Sequence, residues 1–142
     1  RQGLWDEGLY PGATEAIHAL DRAGWLIGMA TGKSRRGLER TLHEHGLGGH
    51  FIILKTADDG PGKPHPAILM DAIAEAGSSP QSAVMIGDTV FDIEMARGAG
   101  SYAVGVGWGY HHPDDLNAAG AHAIVDHFRD LPEVLDTLWR IP

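Results

Sequence analysis

The stretch Val84–Ala96, "VMIGDTVFDIEMA", joins two textures at one glycine. Up to Gly87, "SAVMIG" (82–87) is a short, nearly continuous apolar run, the pattern of a strand buried on both faces. Beyond it, Thr89 to Arg97 reads as a helix. A carboxylate, Asp88, stands at the junction, and Asp92 follows four residues later. The chain is already acidic, so two more carboxylates at this point call for a chemical reason.

The same alternation extends in both directions. Towards the N-terminus, "GATEAIHALDRAG" (12–24) places Ala16, Ile17, Leu20 and Ala23 at helical spacing and ends on a glycine suited to stop a helix. "WLIGMA" (25–30) reads as a buried strand. A helix over Ser34–Gly46 has Ser34 as its N-cap, and "FIILKTA" (51–57) is the next strand. The helix over His65–Gly77 carries Pro66 in its first turn. Towards the C-terminus come a strand at 101–107, a helix at 113–119, a short strand at 122–126 and a helix at 131–139. Strand and helix in turn predict parallel strands joined by crossover helices, hence an α/β layered fold. Ligands in such sheets gather at the carboxyl ends of the strands, so chemistry is expected just after each one.

Bulk properties narrow the field. The 142 residues suit one domain with a single core, and 43% hydrophobic residues argue against disorder. A net charge of −8 disfavours a nucleic-acid backbone binder, which needs a basic face. It leaves room for a small anionic substrate, because a few cations or a metal ion dominate one site. With no cysteine, disulfides, zinc–thiolate sites and thiol nucleophiles are excluded, which suits a cytoplasmic protein. No apolar run approaches the roughly 20 residues of a membrane helix, so no membrane role is expected. The chain starts at Arg1, and its opening "RQGLWDEGLYPG" has neither strand nor helix periodicity. It reads as a chain entered partway.

Three post-strand loops carry candidate chemistry. After 25–30 comes "TGKS", where Thr31 and Gly32 lead into a helix start, a cradle for an anion. A P-loop would need glycine at position 27, which is Ile27; a capped turn with a solvated Lys33 is the plainer alternative. After 51–57 comes "DDGPGKPHP" (58–66), in which Gly62 and Pro64 frame Lys63 and either aim it or make an ordinary turn. After 82–87 come Asp88 and Asp92, on one helix face if the helix starts near Thr89, and suited to a hard cation such as Mg²⁺. The alternative is that Asp88 is an N-cap and Asp92 answers the helix dipole. At the strand mouth, Asp88 favours the functional role. Gly105, Gly107 and Gly109 have the wrong spacing for a dinucleotide fingerprint, and His111 and His112 read as an exposed loop pair rather than metal ligands.

Taken in order, these stations resemble the haloacid dehalogenase superfamily, in particular its phosphoglycolate phosphatase-like members. "LYPGATEAIHALDRAGWLIGMATGKS" resembles the segment leading to that family's second motif, "GKPHP" the third, and "IGDTVFDIEMARGAG" the fourth. The resemblance implies a three-layer Rossmann-like parallel sheet with flanking helices and, over residues 1–142, a single core domain forming the C-terminal part of a catalytic domain. It implies that Thr31, Gly32 and Lys63 bind a phosphoryl group, with Thr31 and Lys63 catalytic. Asp88 is then a Mg²⁺ ligand and Asp92 a supporting acidic one. The implied activity is Mg²⁺-dependent hydrolysis of a small phosphorylated metabolite through an aspartyl-phosphate. The family's first motif, Asp-x-Asp-Gly-Thr/Val, is not found in these residues. The nucleophile, its strand and the cap are therefore expected outside this chain. A non-catalytic phosphate- or Mg²⁺-binding module is the alternative, and a dehalogenase ranks below both.

In that family the first-motif strand lies between the strands that precede Thr31 and Asp88. Without a partner there, two edges are open. We expect the sheet to be completed by residues outside this sequence or by a second copy. Sedimentation of the 142-residue chain checks this: self-association is expected, and a stable soluble monomer contradicts it.

Overall fold

The computed structural model describes residues 13–30, 35–44, 53–56, 59–107 and 111–138. The elements alternate as the sequence predicts: α1 (Ala13–Arg22), β1 (Gly28–Ala30), α2 (Arg35–Glu44), β2 (Ile53–Lys55), α3 (Ala67–Glu75), β3 (Val84–Gly87), α4 (Val90–Ala99), β4 (Tyr102–Val106), α5 (Pro113–Ala118), β5 (Ala123–Val125) and α6 (Leu131–Leu138). Short 3₁₀ turns at Pro80–Ser82 and Phe128–Asp130 lead into β3 and α6.

Every strand pairing is parallel. β1 pairs with β2, setting Gly28 opposite Ile53, and β4 lies between β3 and β5, with Gly87 opposite Gly105 and Val106 opposite Val125. Parallel strands have both faces covered by their crossover helices, and the side chains divide with the strand period of two. Val84 and Ile86 of β3, with Val104 and Val106 of β4, meet Ala16, Leu20, Phe128, Leu131 and Leu135 on the side of α1 and α6. Met85 and Ala103 point the other way, into a cluster with Ile68, Ile93, Met95, Ala96 and Leu116 from α3, α4 and α5. The result is helix, sheet and helix in three layers, the fold class expected from the sequence.

β1 and β3 are not joined by a ladder: the hydrogen-bonded orders are β1–β2 and β3–β4–β5. The two groups share a core instead. Trp25 and Ile27, just before β1, pack against the same cluster as Val84 and Ile86. Only the last three residues of the expected strand 25–30 are strand, and Leu26 is 63% exposed. A run buried on both faces was the wrong reading there, because the lead-in lies against the core on one side alone.

Gly105 has a packing reason. A Cβ at that position would lie 2.8 Å from Ile124 Cδ1 and 2.9 Å from Leu116 Cδ1, closer than carbon atoms sit. Here the glycine lets β4 lie under α5 and beside β5. At the end of α4, Gly100 adopts φ 79° and donates to the carbonyls of Ala96 and Arg97, a left-handed stop that releases the chain into β4.

Ile93 is fully buried between α4 and the sheet, whereas Phe91 on the same helix is 47% exposed. Ile93→Ala is expected to cost about 2–5 kcal/mol in urea unfolding, through lost burial plus a residual cavity. Phe91→Ala is expected to stay within about 0.5 kcal/mol, as surface changes do.

Candidate active site

The chain turns from β3 into α4 through Asp88 and Thr89, and a reciprocal cap fixes the turn. Thr89 Oγ1 accepts the amide of Asp92 at 3.2 Å. Asp92 Oδ2 in return accepts the Thr89 amide at 3.2 Å and the Thr89 hydroxyl at 3.0 Å. This is the capping box of a Thr-x-x-acidic sequence, and it satisfies helix N–H groups that have no partner within the helix. Thr89 is thus the N-cap, not Asp88, and Asp88 lies ahead of the helix rather than on a face shared with Asp92. Relieved of capping, Asp88 is half-buried at the mouth of β3.

Asp92 is 3% exposed. Its second oxygen, Oδ1, is buried and accepts no hydrogen bond. What faces it is the ammonium of Lys63, with Nζ 2.5 Å away, an ion pair off the direction of a hydrogen bond. A buried carboxylate and a part-buried ammonium brought together this way depend on each other, because removing one leaves the other without compensation. Gly87 lies against the same carboxylate: a Cβ built there would overlap Asp92 Cβ, Cγ and Oδ2. The apolar strand therefore has to end in glycine for Asp92 to fold back beneath it.

Lys63 comes from the loop before α3. The His65 amide bonds to the Gly62 carbonyl at 3.1 Å, closing a turn around Lys63 and Pro64. Pro66 then packs on α4, where a Cβ on Gly98 would be 3.3 Å from Pro66 Cβ. Docked on that helix, the loop delivers a side chain that is only 28% exposed to Asp92. Asp59, in the preceding "DDG", is used locally: its Oδ2 accepts the amide of buried Thr56 at 2.8 Å.

His111 is the residue that sequence reading missed. Its amide donates to the Asp88 carbonyl at 2.9 Å, and its Nδ1 accepts the Val90 amide at 2.8 Å. Its ring meets Phe91 edge-on with centroids 5.7 Å apart. His111 is half-buried and clamps the backbone on both sides of Thr89, which corrects its reading as one of an exposed loop pair. His112 is exposed as expected and caps α5, its Nδ1 accepting the Asp114 amide at 3.0 Å. A bond across 21 residues leaves no local signature that could have revealed His111.

Among the sequence-predicted site residues, Lys63 and Asp92 are in contact, and Asp88 directly follows β3, four residues before Asp92. Thr31 and Gly32, with Lys33 and Ser34, lie outside the described residues; Thr31 directly follows Ala30, the last residue of β1. Among the described residues no three His, Cys, Asp or Glu side chains form a cluster able to hold a metal. Asp88, half-buried at the strand mouth, is an oxygen donor of the kind that a hard cation of the Mg²⁺ type takes, such an ion using few protein ligands and completing its shell with water and substrate, whereas Asp92 Oδ1 is already faced by the Lys63 ammonium.

Comparison with known proteins identifies relatives of the chain. Residues 3–100 match the haloacid dehalogenase-like hydrolase family. The chain is 37% identical over 129 residues to an N-acetylmuramic acid 6-phosphate phosphatase of Pseudomonas aeruginosa, covering 89% of this chain and 57% of that protein. It is 33% identical over 128 residues to a phosphoglycolate phosphatase of Nitrosococcus oceani, with the same 89% and 57% coverage. Among solved structures, a hydrolase from Pseudomonas syringae superposes with a TM-score of 0.81 at 28% identity, covering 91% of this chain and 60% of that one. The chain thus spans somewhat more than half the length of these relatives.

Thr89→Ala, which removes the hydroxyl cap, is expected to cost about 1 kcal/mol. Asp92→Ala is expected to cost about 3–5 kcal/mol, because it also strands Lys63. Adding Lys63→Met should recover part of the Asp92→Ala loss. Urea unfolding of the two single variants and the double variant measures the coupling, and additive losses would show that the pair contributes nothing.

Proposed function

The chain belongs to the haloacid dehalogenase-like hydrolases, and from that premise we propose that the complete protein is a Mg²⁺-dependent phosphatase. It hydrolyses a small phosphate monoester of the phosphoglycolate kind through an aspartyl-phosphate. The observation that carries this reading is the Lys63–Asp92 pair at the mouth of β3, directly beyond Asp88. A lysine held 2.5 Å from a buried carboxylate is a cation kept at one point in space, which is what a phosphate site requires.

Each residue has a role in the proposal. The Lys63 ammonium offsets negative charge on the bound phosphoryl group, and Asp92 positions that ammonium. Thr31 donates its hydroxyl, and Gly32 its amide, to phosphoryl oxygens. Asp88 is the principal ligand for Mg²⁺, with Asp92 supporting. When bound, Mg²⁺ supplies further charge neutralisation for the transferring group. His111, by holding the Asp88 carbonyl and the Val90 amide, fixes the Asp88 loop.

The nucleophile is an aspartate outside these 142 residues, since they hold no Asp-x-Asp pair. Its carboxylate attacks phosphorus as the P–O ester bond breaks, the ester oxygen takes a proton from a second carboxyl group of that same motif, also outside these residues, and water then cleaves the acyl-phosphate to free phosphate and the aspartate. In this reading residues 1–142 form one core domain, completed by further residues or by a second copy, in a cytoplasmic protein. No helix among the described residues is long and apolar enough to cross a membrane. The same lack of an Asp-x-Asp pair supports a second reading, in which the chain by itself is a non-catalytic phosphate- or Mg²⁺-binding module.

Asp88→Asn in the complete protein is expected to lower Mg²⁺-dependent turnover of a generic phosphate ester by orders of magnitude, and Lys63→Met by about 10²–10³. Unchanged turnover in Asp88→Asn rejects the role given to that carboxylate. Full activity of the 142-residue chain alone rejects the non-catalytic module.

A further inference from the structure

At the amino ends of the strands, opposite the rim that holds Asp88, an open cleft of about 340 Å³ is lined by Gln81, Arg97, Gly100, Ser101, Tyr102 and His122. None of these side chains is acidic. Arg97 is exposed and, among the described residues, has no carboxylate partner, although the chain as a whole carries a net charge of −8. Its guanidinium is placed by packing. Gly120, at φ 109°, leaves room for the Arg97 stem, and a Cβ there would come within 3.3 Å of Nε.

The imidazole of His122 sits between two donors. The Ala103 amide donates to Nδ1 at 3.0 Å, and Arg97 Nη1 lies 2.8 Å from Nε2. A neutral imidazole has one lone pair on its ring nitrogens, so it satisfies one donor and turns its own N–H towards the other. The geometry assigns the lone pair to Nδ1. Ala103 is fully buried in β4, and leaving its amide unpaired there costs more than a conflict at the surface. Nε2 then carries the proton, and two N–H groups, from His122 and from Arg97, meet head to head at the cleft. The Tyr102 ring, edge-on with centroids 4.9 Å apart, holds the imidazole in place. Burial holds the His122 pKa below its ordinary value, and the Arg97 charge lowers it further, in keeping with a neutral ring.

We propose that this cleft is a second, non-catalytic binding site for an oxyanion, the phosphate or carboxylate group of a small ligand. At 2.8 Å the two nitrogens leave no room for a third atom between them, so an anionic oxygen bridges them with the exposed Arg97 guanidinium drawn aside, accepting from both and removing the donor–donor conflict. The remaining Arg97 donors suit a second oxygen of the same group, as guanidinium forks do with carboxylate and phosphate. The cleft volume falls at the small end of ligand sites. Arg97 binds the anion, His122 reads its position, and Gly120 keeps the arginine in register. The site stands whether or not the opposite rim is a phosphatase centre.

The test is an NMR titration of the ¹⁵N-labelled full chain with inorganic phosphate and, separately, with acetate, following the His122 ring nitrogens and the Ala103 amide. Saturable shifts at both positions are expected, weakened at least tenfold in Arg97→Gln and partly retained in Arg97→Lys. A response to phosphate alone assigns a phosphorylated ligand, and a response to acetate as well assigns a general oxyanion site. Absence of a response to either anion, or shifts that persist unchanged in Arg97→Gln, overturns the proposal. The Gly87 and Asp88 amides report phosphate at the opposite rim in the same spectra, so failure of that reading is seen separately.

Discussion

The carboxylate of Asp92 is the tie on which this part of the molecule depends. One oxygen closes the first turn of α4 by accepting the amide and the hydroxyl of Thr89. The other faces the ammonium of Lys63, which arrives from a loop 29 residues earlier in the chain. A single buried group thereby sets where the helix starts and where a distant cation sits. Such a group is costly to bury alone and is tolerated because both oxygens have partners. Gly87 is part of the same arrangement, since any side chain there would occupy the space of the carboxylate.

The layers explain why the tie can form. Parallel strands send their carboxyl ends to one rim, and crossover helices return the chain outside the sheet. β3 is covered on one face by α1 and α6 and on the other by α3 and α4, so the loops before α3 and α4 lie close together. Pro66 against Gly98 is the contact that brings the Lys63 loop down onto α4. His111 adds a second brace from the loop after β4. Among the described residues, side chain–backbone hydrogen bonds of Thr89, Asp92 and His111 and the Lys63–Asp92 ion pair brace the rim.

The two ends of the sheet differ in chemistry. At the carboxyl end, among the described residues, Asp92 pairs with Lys63 and Asp88 lies just past β3. At the amino end, an arginine that has no carboxylate partner among the described residues faces a histidine whose single lone pair is taken by a backbone amide. The first is of the kind that a cation and a phosphate complete together, the second of the kind that an anion completes.

Much of the fold was legible in the chain order. Apolar runs of strand length alternating with helical spacing point to parallel strands and covering helices, because those are the periods at which one face can be buried. Lys63 and Asp88 were legible as candidates through their places after strands. Local pattern misled at 25–27, where an apolar run is half exposed; at Asp88 the alternative of an N-cap falls, because Thr89 caps the helix. The pairing of Lys63 with Asp92, the brace from His111 and the meeting of Arg97 with His122 were decided only by tertiary structure. Each joins residues at least 21 positions apart, and no local periodicity encodes which distant side chains the crossover connections will bring together.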